Sequence, residues 1–172
     1  MVNPIRRVLI KHVKEGFKSE SKLNQSASKL NYLETPNFSK SISDYDQFVK
    51  LLKSFDIEIH YLPYDKNTTP DSIYTHDPCI VSNKGVILCS MGKNDRCSEV
   101  PAIESYFESL DIPILGKIKK PGNLEGGDVV WINERSVAIG EGYRSNSEGI
   151  KQLKDLLSNL VDNVISVPLP HW

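Results

Sequence analysis

The chain has 172 residues, of which 39% are hydrophobic and 25% are charged, so it is long enough for one globular domain with a hydrophobic core. Its 21 lysine and arginine residues against 22 acidic residues give a net charge of −1, which excludes the basic excess typical of proteins that bind nucleic acid or anionic membranes. No apolar run approaches the roughly 20 residues of a membrane span, and the N-terminus has no signal-peptide core.

The first predicted elements are a strand, a long polar segment, a helix and a second strand. They are expected at residues 7–10, 14–35, 44–55 and 57–62. The helix is expected to bury one apolar face, because its apolar residues recur at helical spacing. This face consists of Phe48, Leu51, Leu52 and Phe55.

The middle and last parts of the chain repeat one order of elements: two strands joined by a tight turn, a helix, and a closing strand. In the middle part these elements are expected at residues 79–81, 86–89, 99–110 and 112–115. In the last part they are expected at residues 128–132, 136–140, 145–160 and 163–168. Both helices carry apolar residues three and four positions apart, which predicts one buried face on each.

The repeated order predicts an α/β fold of about three strand–strand–helix–strand units in a single domain, residues 1–172. One such unit cannot bury its apolar face alone, so each unit requires neighbours. An ordinary open α/β sheet is the alternative, because its units also alternate strands and helices. The paired strands before each helix favour the repeat over this alternative.

Two loops carry charged residues in positions suited to chemistry. Asp77 precedes Pro78 at the start of a strand, where it is either a turn residue or a ligand. Arg96 lies just before a helix, for which Ser98 is the expected N-cap and Glu99 a favourable acid in the first turn. A loop arginine of this kind suits bidentate binding of a carboxylate.

The segment Glu125-Gly126-Gly127-Asp128 is the most specific signal in the chain. Two glycines let the backbone approach another group closely. The flanking acids lead into an apolar strand, where a carboxylate requires a partner. Further along, Arg144 precedes a helix with Ser145 as its expected N-cap, and His171 follows the last strand. These residues are candidates for a polar site at the strand ends.

The chain resembles the guanidino-group-modifying (pentein) superfamily, which contains dimethylarginine dimethylaminohydrolases, arginine deiminases and amidinotransferases. The resemblance rests on an ordered set of motifs: Thr75-His76-Asp77-Pro78, Arg96-Cys97-Ser98-Glu99, Leu124-Glu125-Gly126-Gly127-Asp128, Gly142-Tyr143-Arg144-Ser145-Asn146 and Pro170-His171. It covers nearly all of the chain from Arg7 onward. It implies a five-bladed α/β propeller, of which the units described above would be blades, and a hydrolase of arginine metabolism that acts on a guanidino group.

The resemblance also implies a role for each motif residue. The residues implied to bind substrate are Asp77, Arg96, Arg144 and Asp128. Asp77 would hold the guanidinium and the two arginines would bind the substrate carboxylate. Glu125 would orient the catalytic His171. This chemistry suits a guanidine, because a carboxylate pairs with its planar cation and a histidine of near-neutral pKa can protonate the leaving amine.

A thiol nucleophile is the part of this pattern that the sequence does not supply. The family nucleophile is a cysteine near the end of the full-length protein, and none of Cys79, Cys89 and Cys97 matches it. Cys79 and Cys89 lie on apolar strands and are expected in the core. Cys97, beside Arg96, is the remaining candidate for a reactive thiol. An odd number of cysteines without scaffold spacing favours a reduced, cytoplasmic compartment.

Three hypotheses follow from these patterns. The first is a guanidine hydrolase that ends before its nucleophile and is therefore inactive as this chain. It would bind a small guanidino substrate and need no cofactor or metal. Its exposed strand edges would lead it to self-associate or to pair with the missing C-terminal part. The second is a non-catalytic module of that family that binds a ligand or a partner. The third is a metal site of His76 and Asp77 with Cys79 or Cys89, whose spacing matches no common zinc pattern.

Overall fold

The structure, a computed structural model, describes residues 3–170, so the predicted catalytic His171 lies outside the described residues. The described chain divides into two units. We call Pro4–Thr75 the N-terminal unit, and residues 76–170 together with Asn3 the C-terminal unit. In the described part of the chain, no helix is long and apolar enough to cross a membrane.

The N-terminal unit contains two parallel strands with three helices between them along the chain. Its elements are β1 (Arg7–Ile10), α1 (Val13–Phe17), α2 (Glu20–Ala27), α3 (Phe38–Lys53) and β2 (Glu58–Tyr61). Arg7 pairs with Glu58 and Ile10 with Tyr61. The sequence predicted only a long polar segment over residues 14–35, and the structure places α1 and α2 there.

These two short helices depend on caps and on a few buried side chains. The His12 Nδ1 accepts a hydrogen bond from the Lys14 N–H at 3.1 Å, and the Ser19 hydroxyl accepts one from the Lys22 N–H at 3.2 Å. Leu23 of α2 is completely buried in a cluster that also contains two residues of α1. Helices of this length are stabilised by packing rather than by propensity, which is why periodicity alone did not reveal them.

Helix α3 begins at Phe38 rather than at residue 44 and buries a different face from the one predicted. The side chain of Asn37 caps it by accepting a hydrogen bond from the Lys40 N–H at 2.8 Å. The residues that pack against the core of this unit are Phe38, Ile42 and Tyr45. Three residues of the predicted face are instead exposed to solvent. Their exposed fractions are 43% for Phe48, 56% for Leu51 and 66% for Phe55.

The C-terminal unit contains two three-stranded sheets of the same topology. Its elements are β3 (Cys79–Ser82), β4 (Gly85–Leu88), α4 (Glu99–Ser109), β5 (Ile114–Lys117), β6 (Val129–Asn133), β7 (Ser136–Glu141), α5 (Ser147–Leu157) and β8 (Asn163–Pro168). In each sheet the first two strands are antiparallel, and the third, which follows the helix, is parallel to the second. This is the strand–strand–helix–strand order that the sequence predicts for the middle and last parts of the chain.

One hydrophobic core joins the two sheets of this unit. Leu153 and Leu157 of α5 are completely buried in the same cluster as Val137 and Ile139 of β7. Ile87 of β4, also completely buried, belongs to the same cluster. Because one core contains side chains of both sheets, the loops at their ends are held close together.

The caps of the two long helices in this unit differ from the sequence prediction. Helix α5 is capped by Asn146, whose side-chain oxygen accepts a hydrogen bond from the Gly149 N–H at 2.9 Å, and not by Ser145. Ser98 occupies the N-cap position of α4, but its side chain makes no capping hydrogen bond within the described residues. Glu99 lies in the first turn of α4 as predicted. Ser145 and Glu99 are therefore available for contacts outside their helices.

Candidate functional site

Loops of the C-terminal unit meet at one end of its two sheets. Asp77 lies just before β3 and Arg96 lies in the connection after β4, at the same end of this antiparallel pair. Glu125 and Arg144 have the same relation to β6 and β7. The Gly126 N–H donates a hydrogen bond to the carbonyl oxygen of Asp77 at 2.8 Å, which joins the loops of the two sheets.

The two glycines of the turn permit this close approach. A Cβ atom on Gly126 would lie 2.2 Å from the carbonyl oxygen of His76 and 2.6 Å from that of Cys79. A Cβ atom on Gly127 would lie 2.6 Å from Oδ1 of Asp77. Any side chain at the first position would therefore push two backbone segments apart, and a side chain at the second would displace a carboxylate.

Arg96 is buried between two carboxylates, and we call Asp77, Arg96 and Glu99 the Arg96 cluster. The Arg96 Nε and Nη2 donate to the two oxygens of Glu99 at 2.8 and 2.7 Å, and Nη1 donates to Oδ2 of Asp77 at 2.5 Å. Burial acts to lower the pKa of the guanidinium, but the hydrogen bonds and charges of Glu99 and Asp77 raise it, so Arg96 remains a cation. The Asp77 side chain is 21% exposed, against 6% for Arg96 and 3% for Glu99, so Asp77 is the member that a ligand can reach.

Glu125 is buried and pairs with Arg144. Its Oε1 accepts hydrogen bonds from the backbone N–H of Gly92 at 2.9 Å and of Lys93 at 3.4 Å, and from Nη1 of Arg144 at 3.1 Å. The Arg144 side chain is 44% exposed, against 7% for Glu125. The backbone donors therefore fix the carboxylate, while the arginine lies at the surface of the site.

Ser145 connects the two ends of the turn Glu125-Gly126-Gly127-Asp128, which we call the glycine turn. Its hydroxyl donates to Oδ2 of Asp128 at 2.6 Å and accepts from the Glu125 N–H at 3.1 Å. Ser145 is completely buried, so these two hydrogen bonds satisfy a hydroxyl that would otherwise be costly to bury. The turn between the two acids is therefore held by a side chain from the loop that also carries Arg144.

The six ionisable side chains described above carry an excess of negative charge. Four are acids and two are arginines, namely Asp77, Glu99, Glu125, Asp128, Arg96 and Arg144. Four carboxylates and two guanidiniums give a formal charge of −2. A cationic ligand with several N–H donors would find both opposite charge and acceptors here.

The structure brings together five residues that the sequence placed in the site: Asp77, Arg96, Glu125, Asp128 and Arg144. Their individual roles remain predictions. Sequence reasoning missed Ser145 as part of the site and treated Glu99 only as a helix-dipole residue. The spacing of three residues between Arg96 and Glu99 was a signal for an ion pair, because residues three apart on a helical turn are neighbours.

The three cysteines fall into two classes. Cys79 and Cys89 are buried in the core, as predicted. Burial, with a smaller contribution from the charge of Asp77, raises the pKa of Cys79 to about 12, and burial raises the pKa of Cys89 well above its ordinary value. Cys97 is exposed. Among residues 3–170, no three His, Cys, Asp or Glu side chains are grouped to hold a metal ion, so the hypothesis of a metal site gains no support.

Comparison with known proteins identifies relatives that share these segments. A family model described as arginine deiminase matches residues 63–172. A dimethylarginine dimethylaminohydrolase from Pseudomonas aeruginosa is 28% identical over 126 residues, which are 73% of this chain and 49% of the relative. An arginine deiminase from Listeria monocytogenes is 29% identical over 118 residues, which are 63% of this chain and 29% of the relative. The chain thus spans about half the length of the dimethylarginine dimethylaminohydrolase that it matches.

Solved structures share the fold. A dimethylarginine dimethylaminohydrolase adduct with 4-chloro-2-hydroxymethylpyridine superposes with a TM-score of 0.79 and 23% identity, covering 98% of this chain and 62% of that chain. The N-terminal domain of ArgZ bound to product, an arginine dihydrolase from the ornithine–ammonia cycle in cyanobacteria, superposes with a TM-score of 0.77 and 17% identity, covering 98% and 59%. At these identities the likeness establishes a common α/β fold.

Proposed function

The chain belongs to the arginine deiminase family, and on that premise we propose that its C-terminal unit binds the guanidinium group of an arginine-like molecule. Relatives that match it are named as enzymes acting on arginine or dimethylarginine. In this proposal the chain carries the substrate-binding part of a hydrolase that acts on guanidino groups. A non-catalytic module that binds the same ligand is the alternative, and the two share the binding site.

The observation that carries the proposal is the partly exposed carboxylate of Asp77, which lies among six ionisable side chains whose formal charges sum to −2. A guanidinium is planar and cationic, so a carboxylate recognises it through paired, charge-assisted hydrogen bonds. Oδ2 of Asp77 is held by Arg96 at 2.5 Å, and Oδ1 lies on the side of Gly127. A carboxylate with one fixed oxygen meets a ligand at a lower entropic cost than a freely rotating one.

The family chemistry gives the other residues their proposed roles. A thiolate sulfur attacks the guanidinium carbon, the C–N bond to the leaving amine breaks, and a histidine gives that amine its proton. Water activated by the same histidine then releases the ureido product from sulfur. In this scheme Glu125 orients His171, and Arg96 and Arg144 bind the substrate carboxylate. Asp128 is a further polar residue of the glycine turn.

We also propose that the sheets of this chain are blades of a propeller. The two sheets of the C-terminal unit have identical strand order and direction, which suits consecutive blades of a five-bladed α/β propeller. In that case the N-terminal unit supplies a third, less regular blade, and all three belong to one catalytic domain. The three free cysteines favour a reducing, cytoplasmic compartment.

The proposed ligand class can be tested by calorimetric titration with L-arginine and L-citrulline. The two molecules have the same length, but citrulline has a neutral ureido group in place of the guanidinium. We expect L-arginine to bind at least about 10-fold more tightly, because hydrogen bonds to a charged group are about twice as strong as neutral ones. Equal affinities, or no binding of either molecule, would contradict the proposal.

We expect the 172-residue chain to show no turnover of L-arginine, methylated arginines or agmatine. Cys79 and Cys89 are buried with raised pKa values, so neither is a thiolate at neutral pH. Cys97 is exposed but does not match the position of the family nucleophile. An assay for ureido products and for released amine or ammonia checks this. Turnover that disappears in Cys97→Ser would identify a nucleophile and overturn the expectation.

We also propose that the chain associates with itself or with a segment that resembles the rest of its relatives' fold. Four apolar residues lie exposed on one face of the sheet formed by β6, β7 and β8. Their exposed fractions are between 42% and 59%, and they are Val130, Ile132, Ile165 and Val167. Val130 and Ile165 both pair with Ala138 in register, so they form a continuous apolar row across three strands. Contiguous apolar surface of this kind favours association.

Light scattering at several concentrations tests this association. We expect a mass above that of a 19.4 kDa monomer that rises with concentration. Ile165→Lys should shift the chain toward the monomer, because a charge in the apolar row is costly to bury. Leu33→Lys is the matched control, since Leu33 is completely exposed in the N-terminal unit. A parent chain that remains monomeric at every concentration would contradict this proposal.

A further inference from the structure

The two sheets of the C-terminal unit carry equivalent rows of residues on one face. Each row consists of the second residue of the first strand and the third residue of each of the other two strands. In the β3–β4–β5 sheet these residues are Ile80, Ile87 and Gly116. In the β6–β7–β8 sheet they are Val130, Ala138 and Ile165. Because strand order and direction are the same in both sheets, the two rows lie on equivalent faces.

The row of the β3–β4–β5 sheet is covered by α5, the helix that belongs to the other sheet. Ile80 and Ile87 are 3% and 0% exposed. A Cβ atom on Gly116 would clash with a methyl group of Leu156, so this residue of α5 lies directly on the row. Leu160, which follows α5 in the chain, packs against the same core. In this unit, the helix of one strand–strand–helix–strand repeat thus covers the sheet of the repeat before it.

The equivalent face of the β6–β7–β8 sheet is open in the part of the chain that the structure describes. Val130 and Ile165 are 59% and 44% exposed. Ala138 lies between them and is small, so the row forms a shallow groove with a branched side chain on each side. Ile132 and Val167 extend this apolar surface and are 53% and 42% exposed. The face therefore has the form of one that receives a helix.

Helix α3 is the counterpart of α5 in the N-terminal unit, because it also connects two parallel strands. Leu156 and Leu160 lie seven and three positions before the first residue of β8. The same positions before the first residue of β2 are occupied by Leu51 and Phe55. These two residues are 56% and 66% exposed. Helix α3 therefore exposes the two apolar residues that correspond to those with which α5 covers a sheet.

We infer that a second copy of this chain covers the β6–β7–β8 sheet with its helix α3. In this contact Leu51 of the second copy lies on Ile165, as Leu156 lies on Gly116 within one chain. The inference rests on the proposed association of the chain, and it names both the partner and the surface that the partner uses. The apolar residues that meet are not ionisable, so the contact buries no charge.

The exposed apolar area is sufficient for a dimer. Four residues of the sheet face and three of α3, namely Phe48, Leu51 and Phe55, are each about half exposed. With roughly 200 Å² for a whole side chain, they present on the order of 700 Å² together. A dimer in which each copy covers the sheet of the other makes this contact twice. It buries about 1,400 Å², which lies within the range of specific interfaces, roughly 1,200–2,000 Å².

The test uses Leu51→Lys on the helix and Ile165→Glu on the sheet, with Leu33→Lys as the control in the same unit as Leu51. Leu33 is completely exposed and lies outside α3. Light scattering is expected to give twice the 19.4 kDa of one chain for the parent and the control at high concentration. Each of the other two variants should remain a monomer there, because it would bury a charge in the contact. Thermal unfolding would show first that every variant is folded.

An equimolar mixture of Leu51→Lys and Ile165→Glu gives the sharpest result. A dimer of the two variants has one unaltered contact, and in its other contact the new lysine meets the new glutamate. We expect the mixture to regain the dimer mass that neither variant has alone. A mixture that remains monomeric would overturn the inference. Dimers of Leu51→Lys alone would also overturn it, because the second copy would then use a surface other than α3.

The outcomes separate this inference from the proposals on which it builds. Association that is lost in Ile165→Glu and kept in Leu51→Lys would leave the proposed association standing and overturn the role of α3. A parent chain that remains monomeric at every concentration would overturn both. The guanidinium site is tested separately by titration with L-arginine, so its failure would leave the expected masses unchanged.

Discussion

Replacing Gly126 by alanine is expected to destabilise the C-terminal unit by about 3 kcal/mol, the upper end of the range for overpacking. The new Cβ would lie 2.2 Å from the His76 carbonyl oxygen and 2.6 Å from that of Cys79. Both are backbone atoms of a segment that hydrogen bonds hold in place, including one from the Cys89 N–H to the Pro78 carbonyl oxygen at 2.9 Å. The clash must therefore separate the loops of the two sheets.

The matched control is Gly127→Ala in the same turn. Its Cβ would lie 2.6 Å from Oδ1 of Asp77, the end of a side chain that can rotate away. We expect its stability to stay within about 1 kcal/mol of the parent chain, because the lower entropy of the unfolded alanine chain offsets part of the strain. Its affinity for L-arginine should nevertheless fall. Urea denaturation of both variants checks the difference, and equal stabilities would mean that the turn is not packed as described.

Local patterns were sufficient to predict the C-terminal unit. Each of its sheets is built from a hairpin, an amphipathic helix and a closing strand that are consecutive in the chain, so periodicity and turn residues reveal them. The segment Glu125-Gly126-Gly127-Asp128 was identified as a close approach of the backbone for the same reason. A turn alone would explain the glycines, but it does not explain the acids beside them at the start of the apolar strand β6.

The N-terminal unit was harder to predict because its helices depend on distant contacts. Helix α1 has only five residues and α2 only eight, too few for a clear apolar period. In α3 two apolar stripes compete, and the sequence does not say which one meets the core. The stripe that packs against the core contains Phe38 and Ile42. Both lie among polar residues at the start of the helix, so their apolar spacing was not recognised.

The sequence also did not predict which residues of the site contact one another. Ser145 and Asn146 are adjacent and both suit an N-cap, so propensity cannot choose between them. The structure assigns the cap to Asn146 because the Ser145 hydroxyl bonds to Asp128 and to the Glu125 backbone. Similarly, the contact between Arg96 and Asp77 joins residues 19 positions apart through the packing of two loops.

Asp77→Asn is expected to abolish most of the affinity for a guanidinium while keeping the size and shape of the side chain. It removes the charge that the ligand would meet and replaces one acceptor oxygen by an amide donor beside Arg96. Removing one member of a close charge pair in a binding site costs about 2–5 kcal/mol, so we expect L-arginine to bind at least about 30-fold more weakly. The matched control is Asp162→Asn, which makes the same chemical change in an exposed ion pair with Arg135.

Calorimetric titration of L-arginine into the parent chain, Asp77→Asn and Asp162→Asn is the measurement that tests a guanidinium site at Asp77 most directly. Thermal unfolding of the three proteins would show first that each is folded. We expect saturable binding to the parent chain and to Asp162→Asn with the same affinity, and a loss of at least about 30-fold in Asp77→Asn. Binding of L-arginine to folded Asp77→Asn as tightly as to the parent chain would show that the guanidinium site is not built on this carboxylate.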